Sequence, residues 1–181
     1  TESARVILLP GPPNELYPMF EESAAPYLAS LNSQALSSTT VKICGVGESK
    51  AETMVKDLID GQTNPTIATY AKTGEVHIRV TASGEDKKSA AKLIKPVVKE
   101  LKARFGNHVY TTEEAVTLEK SVADLLLANA LTITCAESCT GGLLSARLVN
   151  VPGISEVYKF GMVTYSNNAK RRFLGVKKST L

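Results

Sequence analysis

Histidine is nearly absent from this chain: its 181 residues include only His77 and His108. Both precede the stretch where serine and glycine signals concentrate, so a Ser-His-Asp triad is not expected. Cysteine is sparse too. Cys44, Cys135 and Cys139 leave one thiol over in any disulfide pairing, and the chain is neither short nor cysteine-dense, which points to free thiols in a reducing compartment. No cluster of His or Cys completes a zinc set around Cys135 and Cys139, so no metal is expected, and no cofactor is called for. No apolar run approaches the roughly 20 residues that a membrane span needs, and the apolar stretch near the start is too short for a secretory leader. A cytoplasmic protein without a membrane partner is the expectation. Charge of one sign is also lacking: the net charge is +3 with 22% charged residues, which gives no overall polyelectrolyte character.

The hydrophobic content of 43% suffices for one ordinary core or two small ones, and two small modules are expected. Residues 6–9 have strand character and run into Pro10-Gly11-Pro12-Pro13, which can continue neither a strand nor a helix. Such a strand has no nearby partner, so either it pairs far along the chain or its own domain lies outside this sequence. Residues 15–31 are weakly helical and interrupted by Pro18 and Pro26, and residues 32–40 read as a polar linker with a boundary near Ser37.

Beyond it, residues 39–46 read as a strand, and Ser49 and Glu52 as a capping box opening a helix that stops at Gly61. Residues 66–71 and 75–82 form a hairpin in which Val76, Ile78, Val80 and Ala82 alternate with polar positions. A helix follows over residues 86–105, with Ala91, Ile94, Val98, Leu101 and Phe105 on one face and Pro96 expected to kink or split it. The order is β-α-β-β-α, a compact α+β module over residues 38–110. Thr111 and Glu114 offer another capping box before a helix with Leu118, Val122, Leu125 and Leu126 on one face. Strands at 131–135 and 160–165 and helices at 140–148 and 167–174 then give βαβα over residues 111–181. That is the start of a three-layer α/β domain, too short to cover both faces of its sheet.

The strongest local signal is Ala136-Glu137-Ser138-Cys139-Thr140-Gly141-Gly142, placed where a strand gives way to a helix. Such turns sit at the carboxyl edge of a sheet, where open α/β sheets bind ligands. Glycines at a helix start let backbone N–H groups reach a phosphate or a developing oxyanion, and Ser138 lies within reach of such a hole. The same residues could instead serve close packing and capping alone. Chemistry requires a base. Tyr165-Ser166-Asn167-Asn168-Ala169-Lys170 supplies candidates, with Tyr165 ending a strand at the same edge and Lys170 one helical turn further on. A tyrosine-lysine pair also occurs in short-chain dehydrogenases, but the spacing differs by one and no Gly-rich dinucleotide fingerprint follows any strand. Cys139 is the alternative nucleophile, without a histidine in its own module. Lys88, Lys92, Lys95, Lys99 and Lys102 form a basic stripe that could meet phosphates, though without an aromatic platform or Gly-x-x-Gly loop a solvated surface explains it better.

Three stretches together resemble the bacterial CinA (competence/damage-inducible) family: Leu9-Pro10-Gly11-Pro12-Pro13-Asn14-Glu15-Leu16, Asn64-Pro65-Thr66-Ile67-Ala68-Thr69-Tyr70, and residues 136–142 with residues 165–170. The resemblance implies that residues 1–37 end a molybdopterin-binding-like domain, linked in the family to ADP-ribose pyrophosphatase activity. It further implies that residues 38–110 form a KH-like module, and that residues 111–181 begin a nicotinamide-nucleotide amidase domain. That domain converts nicotinamide mononucleotide to nicotinate mononucleotide and ammonia. The family's catalytic serine, tyrosine and lysine fall on Ser138, Tyr165 and Lys170, with Thr140, Gly141 and Gly142 expected at the substrate. A homodimer of a longer parent is also expected, with this chain as an inactive fragment of it. The alternative is a non-catalytic module serving competence or DNA recombination through a partner.

Overall fold

The computed structural model describes residues 4–31 and 34–181, and the chain divides into two compact units, Thr1–Val109 and Tyr110–Leu181. Residues 6–9 form no strand: Val6 and Leu8 stand exposed, and no neighbouring strand among the described residues takes their hydrogen bonds. The following residues are more helical than their prolines suggest. Helix α1 (Pro13–Met19) runs through a π-turn at Phe20–Ala24 into α2 (Ala25–Leu31). The Ala25 N–H reaches back to the Phe20 carbonyl, the wide i→i+5 bond that shifts the ladder just before Pro26, whose missing N–H cannot serve it.

The first unit is built on an antiparallel sheet. Strand β1 (Ala35–Cys44) starts earlier than the composition suggests, so Ser37 and Ser38 lie within a strand rather than a linker. Ser38 and Thr81 hydroxyls bond across the sheet at 2.8 Å, giving two polar side chains a place in the ladder. Helix α3 (Glu48–Asp60) begins one residue before Ser49, behind Gly47, so the expected capping box does not form. Glu52 instead accepts from the Thr69 hydroxyl at 3.2 Å. Strands β2 (Thr66–Lys72) and β3 (Glu75–Gly84) make the predicted hairpin around Thr73 and Gly74, whose φ of 78° suits glycine. Together with β4 (Val109–Thr111), which sequence pattern did not reveal, the strands lie in the order β2-β3-β1-β4.

Helix α4 (Lys87–Phe105) is a single 19-residue helix despite Pro96. Pro96 is exposed, so water can satisfy the carbonyl it leaves without a donor, while Ala90, Ile94, Leu101 and Phe105 hold the helix to the sheet. Its start is capped by Asp86, which accepts from the Ser89 N–H at 2.6 Å while the Ser89 hydroxyl returns to the Asp86 backbone. Val41, Ile43, Val76, Ile78 and Val80 complete one core with Ala51 and Val55 of α3. Arg104 ties α4 to α3 through Asp57 and the Met54 carbonyl, and is steadied by Glu100 one turn back on α4.

The second unit contains a βαβ piece. Helix α5 (Leu118–Ala128) is capped by Thr117, not by the Thr111–Glu114 pair; Thr111 accepts instead from the Glu113 N–H. Ala123 is its buried residue, and Leu125, expected on the inner face, is exposed. Strand β5 (Ile133–Glu137) pairs in parallel with β6 (Tyr158–Val163), connected through α6 (Leu143–Val149), and α7 (Asn167–Leu174) follows. Ala123, Cys135, Leu148, Val151, Ile154 and Val157 form its core. The fold is thus mixed: a small antiparallel sheet with helices, then an α/β unit. No helix among the described residues is long and apolar enough to cross a membrane.

Candidate active site

The turn at residues 138–142 leaves the carboxyl end of β5, beside the carboxyl end of β6, because the two strands run parallel with Glu137 opposite Val163. Parallel pairing places Ser138, Tyr165 and Lys170 at one edge. Ser138 is half-buried at the start of the turn, whereas Tyr165, two residues past β6, has 72% of its surface exposed. Lys170 is half-buried in the first turn of α7, and its Nζ donates to the Tyr165 carbonyl at 3.3 Å. Ser166 caps that helix by accepting from the Ala169 N–H at 3.1 Å, which fixes the lysine's distance from the strand end. No hydrogen bond joins the Ser138 hydroxyl to Lys170 or to the Tyr165 hydroxyl among the described residues; Lys170 and Tyr165 meet, and Ser138 shares only their edge.

The glycines behave differently from their predicted use. Gly141 and Gly142 take φ of 60° and 104°, the left-handed region that glycine enters without a Cβ penalty, so the chain can turn sharply into α6. Their N–H groups are already engaged: Gly141 donates to the Ser138 carbonyl at 3.0 Å and Gly142 to the Glu137 carboxylate at 3.1 Å. These donors build the turn, and within residues 138–142 the N–H groups of Ser138, Cys139 and Thr140 have no acceptor among the described residues. Sequence pattern does not reveal which amides the turn itself will claim.

Glu137 is what claims them. Buried within β5's end, it accepts from the N–H groups of Gly142, Leu144 and Ser145 at 3.1, 3.0 and 2.9 Å and from the Ser145 hydroxyl at 2.5 Å. The Ser145 hydroxyl above all, then the Ser145 amide, the Thr140 hydroxyl and the Leu144 amide, outweigh burial and hold its carboxyl at about 2, well below the usual carboxylate range. Sequence pattern did not announce this role: the acid stands several residues ahead of α6 and meets that helix's orphan donors only by folding back over the turn. Thr164, also buried, donates its N–H to the Glu137 carbonyl at 2.8 Å. Cys135 lies buried in the core and Cys139 is exposed in the turn; among the described residues no His, Cys, Asp and Glu group is set to hold a metal.

A strand-end serine turn at the edge that also carries a lysine and a tyrosine, on a parallel α/β pair, defines the class: an α/β domain with a glycine-bearing strand-to-helix turn. Comparison gives the family. Residues 38–111 match the damage-inducible protein CinA KH domain and residues 115–181 the CinA C-terminal domain, and the chain belongs to the CinA family. A competence-damage inducible protein of Clostridium beijerinckii is 53% identical over 176 residues, covering 97% of this chain and 43% of that protein. A CinA-like protein of Dictyoglomus turgidum is 52% identical over 171 residues, covering 94% of this chain and 41% of that protein. The competence/damage inducible protein CihA from Agrobacterium tumefaciens, a solved structure, is 42% identical over 35% of this chain and 39% of its own, with a TM-score of 0.35. The chain therefore spans about two-fifths of the length of the relatives it matches.

Proposed function

We propose that the second unit carries part of a metal-independent amidase that hydrolyses nicotinamide mononucleotide to nicotinate mononucleotide and ammonia. The observation that supports this most is that Ser138, in a turn held by a buried carboxylate, shares a sheet edge with Lys170, whose Nζ is held by the Tyr165 carbonyl just past the adjacent parallel strand. In this reading Ser138 Oγ attacks the carboxamide carbon and Lys170 Nζ takes its proton. Tyr165, whose exposed hydroxyl has room to swing toward the turn, orients or relays that proton to the departing ammonia. The free N–H groups of Cys139 and Thr140 hold the oxyanion, and Gly141 and Gly142 shape the wall against which the substrate lies. Water then cleaves the acyl-serine to give the carboxylate.

The whole family protein, in the same proposal, adds a molybdopterin-binding-like domain with ADP-ribose pyrophosphatase activity ahead of residue 38 and works as a homodimer in the cytoplasm. The test is ammonia release from nicotinamide mononucleotide by the full-length family protein carrying this segment. Loss of release in its Ser138→Ala form supports the assignment, and undiminished turnover removes Ser138 and brings Cys139 forward.

A second reading rests on the first unit. Lys95, Lys99 and Lys102 of α4 line a shallow groove with Ile94, Val98 and Thr39 of β1, which would suit a non-catalytic contact with nucleic acid or with an acidic recombination partner. Binding of this kind is purely electrostatic, and nucleic-acid affinity that persists with sequence preference at raised salt would contradict that.

A further inference from the structure

Glu137 has no part in the chemistry just described, yet it is the only carboxylate among the described residues whose side chain is buried. Burying a charge is costly unless hydrogen bonds replace its water. Here the replacement comes from donors within residues 142–145 rather than from a cation: Oε2 takes the Gly142 and Leu144 amides, and Oε1 takes the Ser145 amide and hydroxyl. A carboxylate offers about four lone-pair sites, so these donors saturate it and leave none for a substrate proton. The main chain of the same residue accepts from Thr164, one position before Tyr165.

One residue thus anchors both sides of the site. Its side chain closes the turn that follows Ser138, and its carbonyl sets the end of the strand that carries Tyr165 and leads to Lys170. Tyr158 extends the arrangement by donating its hydroxyl to Ser145 Oγ at 2.8 Å. We infer that Glu137 is a positioning residue, which fixes Ser138 relative to Lys170 by gathering the donors of residues 142–145 and takes no proton itself. This inference rests on the amidase reading above.

The experiment compares wild type, Glu137→Gln and Ser145→Ala in the full-length family protein, with kinetics on nicotinamide mononucleotide and amide hydrogen exchange on the same samples. Glutamine keeps size but turns one oxygen into a donor facing other donors, so two of the clamping bonds are lost. The expected result is faster exchange at Gly142, Leu144 and Ser145 with the rest of the unit unchanged. Turnover should fall about 10²-fold at nearly constant KM, the scale of a roughly 1 Å displacement of a reacting group. The shape of the kcat–pH profile should be retained, because Glu137 does not titrate in the working range. Ser145→Ala, which removes a single donor, should give a smaller loss of the same kind and decides the matter if Glu137→Gln does not fold. A lost limb in the pH profile would make Glu137 a base and overturn the inference, as would loosened exchange with unchanged kcat, or full activity with unchanged exchange. An inactive wild type would instead overturn the amidase reading and the catalytic half of this one, while exchange still reports directly whether Glu137 holds the turn.

Discussion

Ser145 meets Glu137 twice, through its backbone N–H at 2.9 Å and its hydroxyl at 2.5 Å, so that one helix residue is pinned to the end of the preceding strand by two bonds to the same oxygen. Since the hydroxyl proton points at the carboxylate, its lone pair is free to receive the Tyr158 hydroxyl, and the three groups form a directed chain.

That chain makes the second unit acid-sensitive in a defined window. The Glu137 carboxyl is held at about 2 against an ordinary 4.5, so its contribution to stability is complete above 4.5 and is lost as pH falls through about 2. Urea unfolding of wild type and Glu137→Gln across this range should show a gap in midpoint that is full near pH 6 and closes toward pH 2. A gap independent of pH would mean that the carboxylate is not charged in the fold.

Gly161 on β6 tests the far end of the chain. A Cβ there would stand 1.9 Å from the Tyr158 hydroxyl and 3.3 Å from Ser145 Oγ, so the tyrosine must move and its hydrogen bond is lost. Gly161→Ala should destabilise the protein by about 0.5–1.5 kcal/mol, the usual worth of one hydrogen bond, and Tyr158→Phe by a similar amount. Because both remove the same contact, the double variant in urea unfolding should cost little more than either single one. Simple additivity would show that Gly161 matters for another reason.

The β2–β3 hairpin, whose apolar residues keep a strict period, was legible, with Val76, Ile78, Val80 and Ala82 facing inward, and so was α7, whose bounds coincide with the predicted helix. Caps were not. Ser49 and Thr111 each stood three residues from an acid, but Gly47 and Thr117 open the helices, because tertiary packing of Ala51 and Ala123 decides where each helix starts. The position of the candidate site was readable as a strand-to-helix turn with glycines. Its inner wiring was not, since which amides remain free depends on a carboxylate folding back over five to eight residues, a contact that leaves no periodic trace.

In the first unit, Gly84 closes β3 against the start of α4. An added Cβ would lie 2.7 Å from Ser89 Oγ and 2.8 Å from the Ala90 nitrogen. Neither can give way easily, since the serine hydroxyl is engaged with the Asp86 backbone and the nitrogen belongs to the helix's first turn. Gly84→Ala should therefore cost about 1–3 kcal/mol through overpacking, measured as a lower urea midpoint at an unchanged slope. A neutral outcome would show that α4 can slide on the sheet.

The kinetic consequence of the proposed site lies in the relation between Ser138 and Lys170. They are not hydrogen-bonded to each other among the described residues, and Lys170 is held by the Tyr165 carbonyl, so the nucleophile and its base must come together with substrate bound. If they then act as one unit, removing either removes the same step. Ser138→Ala and Lys170→Ala in the full-length family protein should each lower kcat with nicotinamide mononucleotide by roughly 10³-fold or more, and the double variant should be little worse than either, because effects within one catalytic unit do not add. Tyr165→Phe keeps the backbone carbonyl that holds Lys170 and loses only the hydroxyl, so its cost should be smaller, on the order of 10²-fold, as for a lost proton relay. The discriminating measurement is the double variant's single-turnover rate. A further large drop beyond the worse single variant would mean that Ser138 and Lys170 contribute independently, with Lys170 binding substrate rather than activating the serine.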